Sequence, residues 1–206
     1  GVACVIIFIW GESIIIFYMM HTLGIHLKKW KCFLLSSVGF FFSCITPSAS
    51  GGQPMQIYYM KKEKISIPVS TVILMIVTIT YKLVLVVIGI GIAIFGRGFL
   101  HKYLEGILPV FYLGLMLNIF CVTFMTILVF HPLLAKAILM KGMKLLERFH
   151  LMRKKEGRLK KLEASMDIYR NTAAYLKNNP FVIVKVIGIT FIQRMALFAV
   201  TWFVYQ

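Results

Sequence analysis

Residues 44–64 read CITPSASGGQPMQIYYMKKEK. Before them the chain is almost wholly apolar, and at Lys61 it turns basic. Two prolines, two glycines and several small or amide side chains interrupt an apolar run at a depth where a membrane helix should be continuous. Whether this insert crosses a bilayer or turns back inside one decides the fold.

The 206 residues are 60% hydrophobic with a mean hydropathy of +0.86, against roughly 45–50% apolar for a soluble domain. Several apolar runs reach the ~20 residues needed to span a bilayer. The sequence therefore describes an integral membrane protein. The runs are 2–20, 32–46, 69–95, 107–130 and 181–205. The first is not a secretory signal, since it has no basic leader, carries Glu12 at its centre and has no small-residue cleavage site after it.

The net charge of +16 is unevenly spread, with twelve of the 23 lysines and arginines between His131 and Pro180. In a membrane protein such clusters mark the cytoplasmic side and anionic headgroups, not nucleic acid. Lys28, Lys29 and Lys31 place the first loop inside, and Lys61, Lys62 and Lys64 place the next one inside too. Loop 96–106 has Arg97 and Lys102 against Glu105 and suits the outer face. If residues 32–60 crossed fully, the twelve-charge segment would lie outside. If they return, every loop falls where its charge favours it.

Length agrees. Residues 32–46 rise only about 22 Å and 54–64 about 16 Å, against a hydrocarbon core of ~30 Å. Pro47 lacks the amide hydrogen, and Gly51-Gly52 is free to adopt positive φ. Broken backbone at membrane depth must be buried in protein or line a watery cavity. The expected architecture is an all-α polytopic bundle, one transmembrane domain over 1–206. Spans fall at about 2–20, 69–95, 107–130 and 181–205, with a re-entrant broken-helix hairpin at about 32–60. Residues 132–179 form a cytoplasmic amphipathic segment: Leu134, Ile138, Leu145, Phe149 and Met152 recur at helical spacing, as do Leu159, Leu162, Met166 and Tyr169, with Gly157 as a break. These helices lie either along the inner leaflet or against the protein.

Two constellations carry chemistry. The first is the hairpin tip. Pro54 suits the first position of a helix capped by Gly52 or Gln53, which would aim free N–H groups and a positive dipole end into the cavity. Such broken helices hold anionic groups in transporters. Thr46, Ser48, Ser50, Gly51, Gln53 and Gln56 add donors or space. The second constellation is Glu12, Lys82 and Arg194, each near the middle of an apolar run. An uncompensated charge there costs roughly 2.5–3.5 kcal/mol. Lys82 shares a face with Thr71, Thr78 and Gly89, and Arg194 with Thr190 and Thr201. Glu12 is the natural ion-pair partner of Lys82 or Arg194, which leaves a cation to meet a phosphate. The alternative is that tip and charges serve the bundle's own structure.

Cys4, Cys32, Cys44 and Cys121 lie in apolar runs without CxxC spacing and read as small core residues. Asn118, Gly114 and Cys121 suit helix packing. No catalytic set, metal set or cofactor motif occurs.

The run Thr46-Pro47-Ser48-Ala49-Ser50-Gly51-Gly52-Gln53-Pro54-Met55-Gln56 resembles the signature of the bacterial lysylphosphatidylglycerol synthase/flippase transmembrane family, which includes the membrane domain of the multiple peptide resistance factor. The basic stretch 132–177, and Phe191-Ile192-Gln193-Arg194 with the aromatic run after it, are similar to that family as well. The resemblance implies a multi-pass plasma-membrane protein that binds anionic phospholipids and flips an anionic or aminoacylated phosphatidylglycerol. It also implies a partner aminoacyltransferase, as a cytosolic domain or protein, that moves lysine from charged tRNA to phosphatidylglycerol. This chain would then be the membrane part of a lysyltransferase. A third reading is a non-transporting envelope scaffold. That soluble domain and the family's later glycine-rich membrane motif do not occur in these residues, so the chain is expected to be part of a longer protein.

Overall fold

In the computed structural model, residues 2–96, 106, 108–131, 134, 136–138, 140 and 157–204 are described. The expected outer loop at 97–105 and the periodic positions Leu145, Phe149 and Met152 lie outside the described residues. The helices are α1 (Val2–Thr22), α2 (Lys29–Ile45), α3 (Gly52–Lys62), α4 (Ile67–Phe95), α5 (Leu108–Phe130), α6 (Gly157–Asn178) and α7 (Pro180–Val204). A 3-10 turn, Pro47–Ala49, joins α2 to α3. Among the described residues four helices are long and apolar enough to cross a membrane: Ala3–Thr22, Ile67–Phe95, Leu108–Phe130 and Pro180–Ala199. The chain is thus an all-α, multi-pass membrane protein.

α2 and α3 pack against each other as the two arms of a hairpin. At its mouth Lys31 Nζ is paired with Glu63, so the two ends of the insert meet at one level. Neither arm spans: at 1.5 Å per residue, 17 residues rise about 25 Å and 11 about 16 Å. The insert turns back.

Local chemistry ends each element. Thr46 is extended (φ −104°, ψ 143°), as a residue before proline must be, and α2 stops there. α1 ends in a Schellman motif, Ile25 N–H to Met20 O at 2.9 Å and Gly24 N–H to His21 O at 3.0 Å, with Gly24 at φ +75°. α3 ends the same way, Ile65 N–H to Met60 O at 3.1 Å and Lys64 N–H to Lys61 O at 3.0 Å, with a lysine at φ +63°. Both motifs turn the chain at the lysine-rich end.

The glycines of the break act differently from expectation. Gly51 has φ −81°, and the positive φ values belong to Ser48 (+55°) and Ala49 (+54°). What Gly52 supplies is proximity: a Cβ there would sit 2.1 Å from Ser43 Oγ and 2.7 Å from Gly39 O. At Gly39 a Cβ would sit 2.2 Å from Gln56 Nε2. The arms touch at distances no side chain permits.

The core lies at the lysine-rich end. Ile15, Ile16, Met19 and Met20 of α1 bury against Leu35, Met60, Ile73, Ile76, Val129 and Val186. α6 adds Met166, Tyr169, Ala173 and Leu176 to this core and packs on α4, α5 and α7. Of the two readings of the amphipathic segment, packing against the protein describes α6, because its apolar face is spent there and not on lipid. Tyr169 hydroxyl donates to Leu128 O at 3.2 Å and lies 3.8 Å from Met75 Sδ, tying α6 to α5 and α4. Burial pushes its phenol pKa up. Lys136 Nζ pairs with Glu163 at 3.1 Å. Cys32 is buried as a core residue would be, whereas Cys44 is exposed.

The glycine contacts give a clean comparison. Gly52→Val is expected to lower the thermal midpoint in detergent by an amount matching overpacking of roughly 1–3 kcal/mol. Gly91→Val, with nothing within 4 Å of its Cβ position, is expected to leave the midpoint within about 0.5 kcal/mol of the parent. Equal midpoints for the two variants would show that the arms are not in contact.

Candidate functional site

Beyond the core, away from the lysine-rich end, the helices part around a cavity of about 560 Å³. α1 contributes Phe8 and Glu12, and α7 contributes Thr190, Gln193 and Arg194. The hairpin supplies Ser43, Ser50, Gly52, Gln53 and Gln56, and α4 supplies Thr78, Tyr81 and Lys82. All three of the intramembrane charges singled out from sequence line this one space.

The tip is built on Thr46. Its hydroxyl donates to Phe42 O at 2.6 Å and accepts the Gly51 N–H at 2.9 Å, bridging the end of α2 to the start of α3. Ser50 hydroxyl donates to Pro47 O at 2.9 Å. α3 begins at Gly52 with Gly51 as its N-cap, so Pro54 is its third residue and not its first. The proline is tolerated because amides of the first turn have no intrahelical acceptor in any case. The Gly52 and Gln53 amides are the first-turn donors at the cavity wall. Of the tip residues proposed from sequence, Ser50, Gly52, Gln53 and Gln56 line the cavity. Thr46, Ser48, Gly51 and Pro54 do not line it.

Two glutamines fix the hairpin to its neighbours. Gln53 Nε2 donates to Thr78 Oγ1 at 2.5 Å, and that hydroxyl donates in turn to Leu74 O at 2.8 Å. Gln56, almost fully buried, donates from Nε2 to Glu12 Oε1 at 2.8 Å and to Leu35 O at 3.3 Å. Among the described residues Glu12 does not make the expected direct ion pair with Lys82 or Arg194, although its charge and that of Arg194 act on each other across the cavity. Among the described residues the ion pairs are Lys31–Glu63 and Lys136–Glu163, and the partner of Glu12 is the Gln56 amide. Arg194 is held otherwise. Its guanidinium carbon lies 5.1 Å from the Phe8 ring and 4.6 Å from the Tyr81 ring, a cation–π sandwich between α1 and α4. Its Nε is buried and makes no hydrogen bond. Lys82 Nζ lies 5.7 Å from the Tyr81 ring.

The polar stripes divide. Thr78 and Lys82 face the cavity, as do Thr190 and Arg194. Thr71 hydroxyl is spent on Ile67 O at 2.9 Å, and Gly89 packs toward Leu115 on α5. The side chain of Thr201 lies outside the described residues. Asn118 Nδ2 donates to Gly114 O of its own helix at 2.9 Å. Sequence reasoning gave no site role to Tyr81, Phe8 or Ser43, and named Gln193 only within the family-like run before Arg194. Gln193, buried, donates to Phe8 O at 2.8 Å, and a Cβ at Gly11 would lie 2.9 Å from its Cγ. Its position beside Arg194 in a polar stripe was the available signal; the aromatic partners of a cation come from other helices and leave none.

Chemically, the site presents two cations and amide and hydroxyl groups to one space, with its one carboxylate already hydrogen-bonded. It suits an anion bearing several acceptor oxygens. Among the described residues no group of three His, Cys, Asp or Glu side chains could hold a metal.

The Glu12–Gln56 bond is testable. Gln56→Ala is expected to destabilise the protein by about 2 kcal/mol, the cost of leaving a carboxylate short of its donor. In a Glu12→Ala background the same change is expected to cost less than about 1 kcal/mol. Equal costs in both backgrounds, read from unfolding midpoints, would show that the two side chains are not coupled.

A family model described as the lysylphosphatidylglycerol synthase TM region matches residues 1–206, the whole chain. No curated protein and no solved structure matches.

Proposed function

The chain belongs to the lysylphosphatidylglycerol synthase transmembrane-region family, and from that premise we propose that it translocates an anionic or aminoacylated phosphatidylglycerol-type lipid across a bacterial plasma membrane. The observation that carries this reading is Arg194: a guanidinium at mid-span whose Nε is buried without an acceptor, in a cavity shared with Lys82 and the hairpin tip. A charge placed there at a cost of several kcal/mol needs a compensating partner, and a lipid phosphate has the charge and the acceptors to be one. Arginine suits the role because its planar fork matches phosphate oxygens. Lys82 adds a second positive charge, and Ser50, Gln53 and the first-turn amides of α3 add neutral donors.

The lysine-rich loops are the cytoplasmic face in this reading, by the positive-inside rule. The packed core then closes the cytoplasmic side of the cavity: Met19, Met60, Ile73 and Val186 are all fully buried there. A headgroup entering from the inner leaflet requires that packing to open, so transport alternates between this closed arrangement and one in which α1, α4 and α7 part below Glu12.

The family's own description favours a second reading, in which the chain is the membrane part of a lysyltransferase and presents phosphatidylglycerol to an aminoacyltransferase domain or protein. The cavity then docks the acceptor lipid without moving it between leaflets.

Reconstitution in liposomes separates the readings. The intact protein is expected to accelerate translocation of fluorescent phosphatidylglycerol, and Arg194→Gln or Gln53→Ala to slow it on the order of tenfold, the loss of one hydrogen bond to a charged group. Phosphatidylglycerol binding without translocation would favour the docking role. Wild-type rates in Arg194→Gln would remove the cavity from the mechanism.

A further inference from the structure

A second hollow, of about 640 Å³, lies on α1, α2 and α7 and shares no lining residue with the first. Its walls are Trp10, Ile14, Phe17, Trp30, Phe33 and Ile189, and its charged group is Lys29. Trp10 and Trp30 are 58% and 72% exposed, so both rings are open to whatever occupies the groove. Interfacial tryptophan belts explain Trp30, which sits beside the lysines of the first loop. They do not explain Trp10, one α-helical stretch of seven residues, or about 10 Å, deeper than Phe17.

We propose that this groove holds one acyl chain of an anionic phospholipid, with the lipid's headgroup against Lys29. The geometry has two parts. The deep part is aromatic and aliphatic and takes hydrocarbon: Trp10 packs on Phe33 at a centroid distance of 6.0 Å, and Trp30 stacks on the same ring at 5.7 Å from nearer the mouth. The shallow part is cationic. Lys29 Nζ lies 5.9 Å from the Phe17 ring, at the exposed mouth of the groove. Lys185 Nζ lies 5.7 Å from the ring of Tyr18, another lining residue. Among the described residues no carboxylate lines the groove, and Glu63, on the neighbouring arm, is occupied by Lys31. An apolar slot with a positive mouth matches the tail and phosphate of an anionic lipid, and a zwitterionic headgroup gains far less from it. The site stands apart from the cavity and does not depend on lipid being translocated there.

Tryptophan quenching by lipids brominated on the acyl chain reads this site directly. The chain has three tryptophans, so a Trp202→Phe background leaves emission to Trp10 and Trp30. The protein is reconstituted in phosphatidylcholine vesicles, and brominated phosphatidylglycerol or brominated phosphatidylcholine is introduced at equal mole fraction. Brominated phosphatidylglycerol is expected to quench with about fivefold higher apparent affinity, the effect of roughly one well-placed lysine. Lys29→Gln is expected to bring the ratio toward one, Lys29→Arg to keep it, and Lys82→Gln in the other cavity to leave it unchanged. Equal quenching by the two lipids, or a preference that survives Lys29→Gln, would overturn the assignment. Because Lys29 is exposed at the start of α2, and the parent comparison needs no variant at that position, a folding defect cannot rescue the proposal.

Discussion

A membrane-embedded chain that leaves helical geometry must satisfy its own backbone, because no water is available in hydrocarbon to do so. Residues 46–51 meet that constraint within the turn itself: the Ala49 amide donates to Thr46 O, and the Ser50 amide and hydroxyl donate to Pro47 O. The Thr46 hydroxyl accepts the Gly51 amide and donates to Phe42 O, bridging the two helices. With the turn closed, the arms can return side by side, and the small residues Gly39, Ser43 and Gly52 let them do so in van der Waals contact. The mouth of the hairpin is then tied by Lys31 and Glu63, and the chain emerges at the level where it entered.

The cavity is a consequence of that return. A hairpin shorter than the bilayer packs well against α1 and α4 along its mouth and runs out before the far side. The core therefore collects at the lysine-rich end, and the space beyond the tip is left to polar groups. Three amides hold its walls: Gln53 to α4, Gln56 to α1, and Gln193 from α7 to α1. Glu12 is absorbed into this framework by Gln56. Arg194 is supported by two rings and keeps donor capacity, which is the electrostatic asymmetry the proposed lipid site rests on. A cation held by π-faces keeps a buried N–H without an acceptor, while Glu12 in the same cavity acts on it by its charge and not by a direct ion pair.

Much of this was legible in the residues. Loop lysines and arm lengths were enough for the hairpin, because charge placement and helix rise are one-dimensional properties. The tip, Lys82 and Arg194 were legible as polar groups where polar groups are expensive. The rest depended on contacts between distant segments. Positive φ was expected at Gly51 and Gly52, the residues best able to adopt it, but the helix crossing demanded their lack of a side chain and passed the strained backbone to Ser48 and Ala49. The register of Pro54 was off by two residues: α3 begins at Gly52, after a Gly51 whose amide is held by Thr46 from outside its local sequence. Glu12 looked like an ion-pair partner because charge is visible in a sequence, while the reach of a Gln56 side chain across Gly39 is not. The amphipathic pattern of α6 was read correctly as periodic, yet periodicity cannot say whether an apolar face meets lipid or protein.

The return of the hairpin can be measured without reference to any substrate. With the four native cysteines replaced by serine, Lys28→Cys and Lys61→Cys are introduced one at a time, and intact and inside-out vesicles are treated with a membrane-impermeant maleimide. A re-entrant insert predicts that both positions are labelled in the same vesicle orientation and protected in the other. Labelling of Lys28→Cys and Lys61→Cys from opposite faces would mean that residues 32–60 cross the bilayer, contradicting the hairpin.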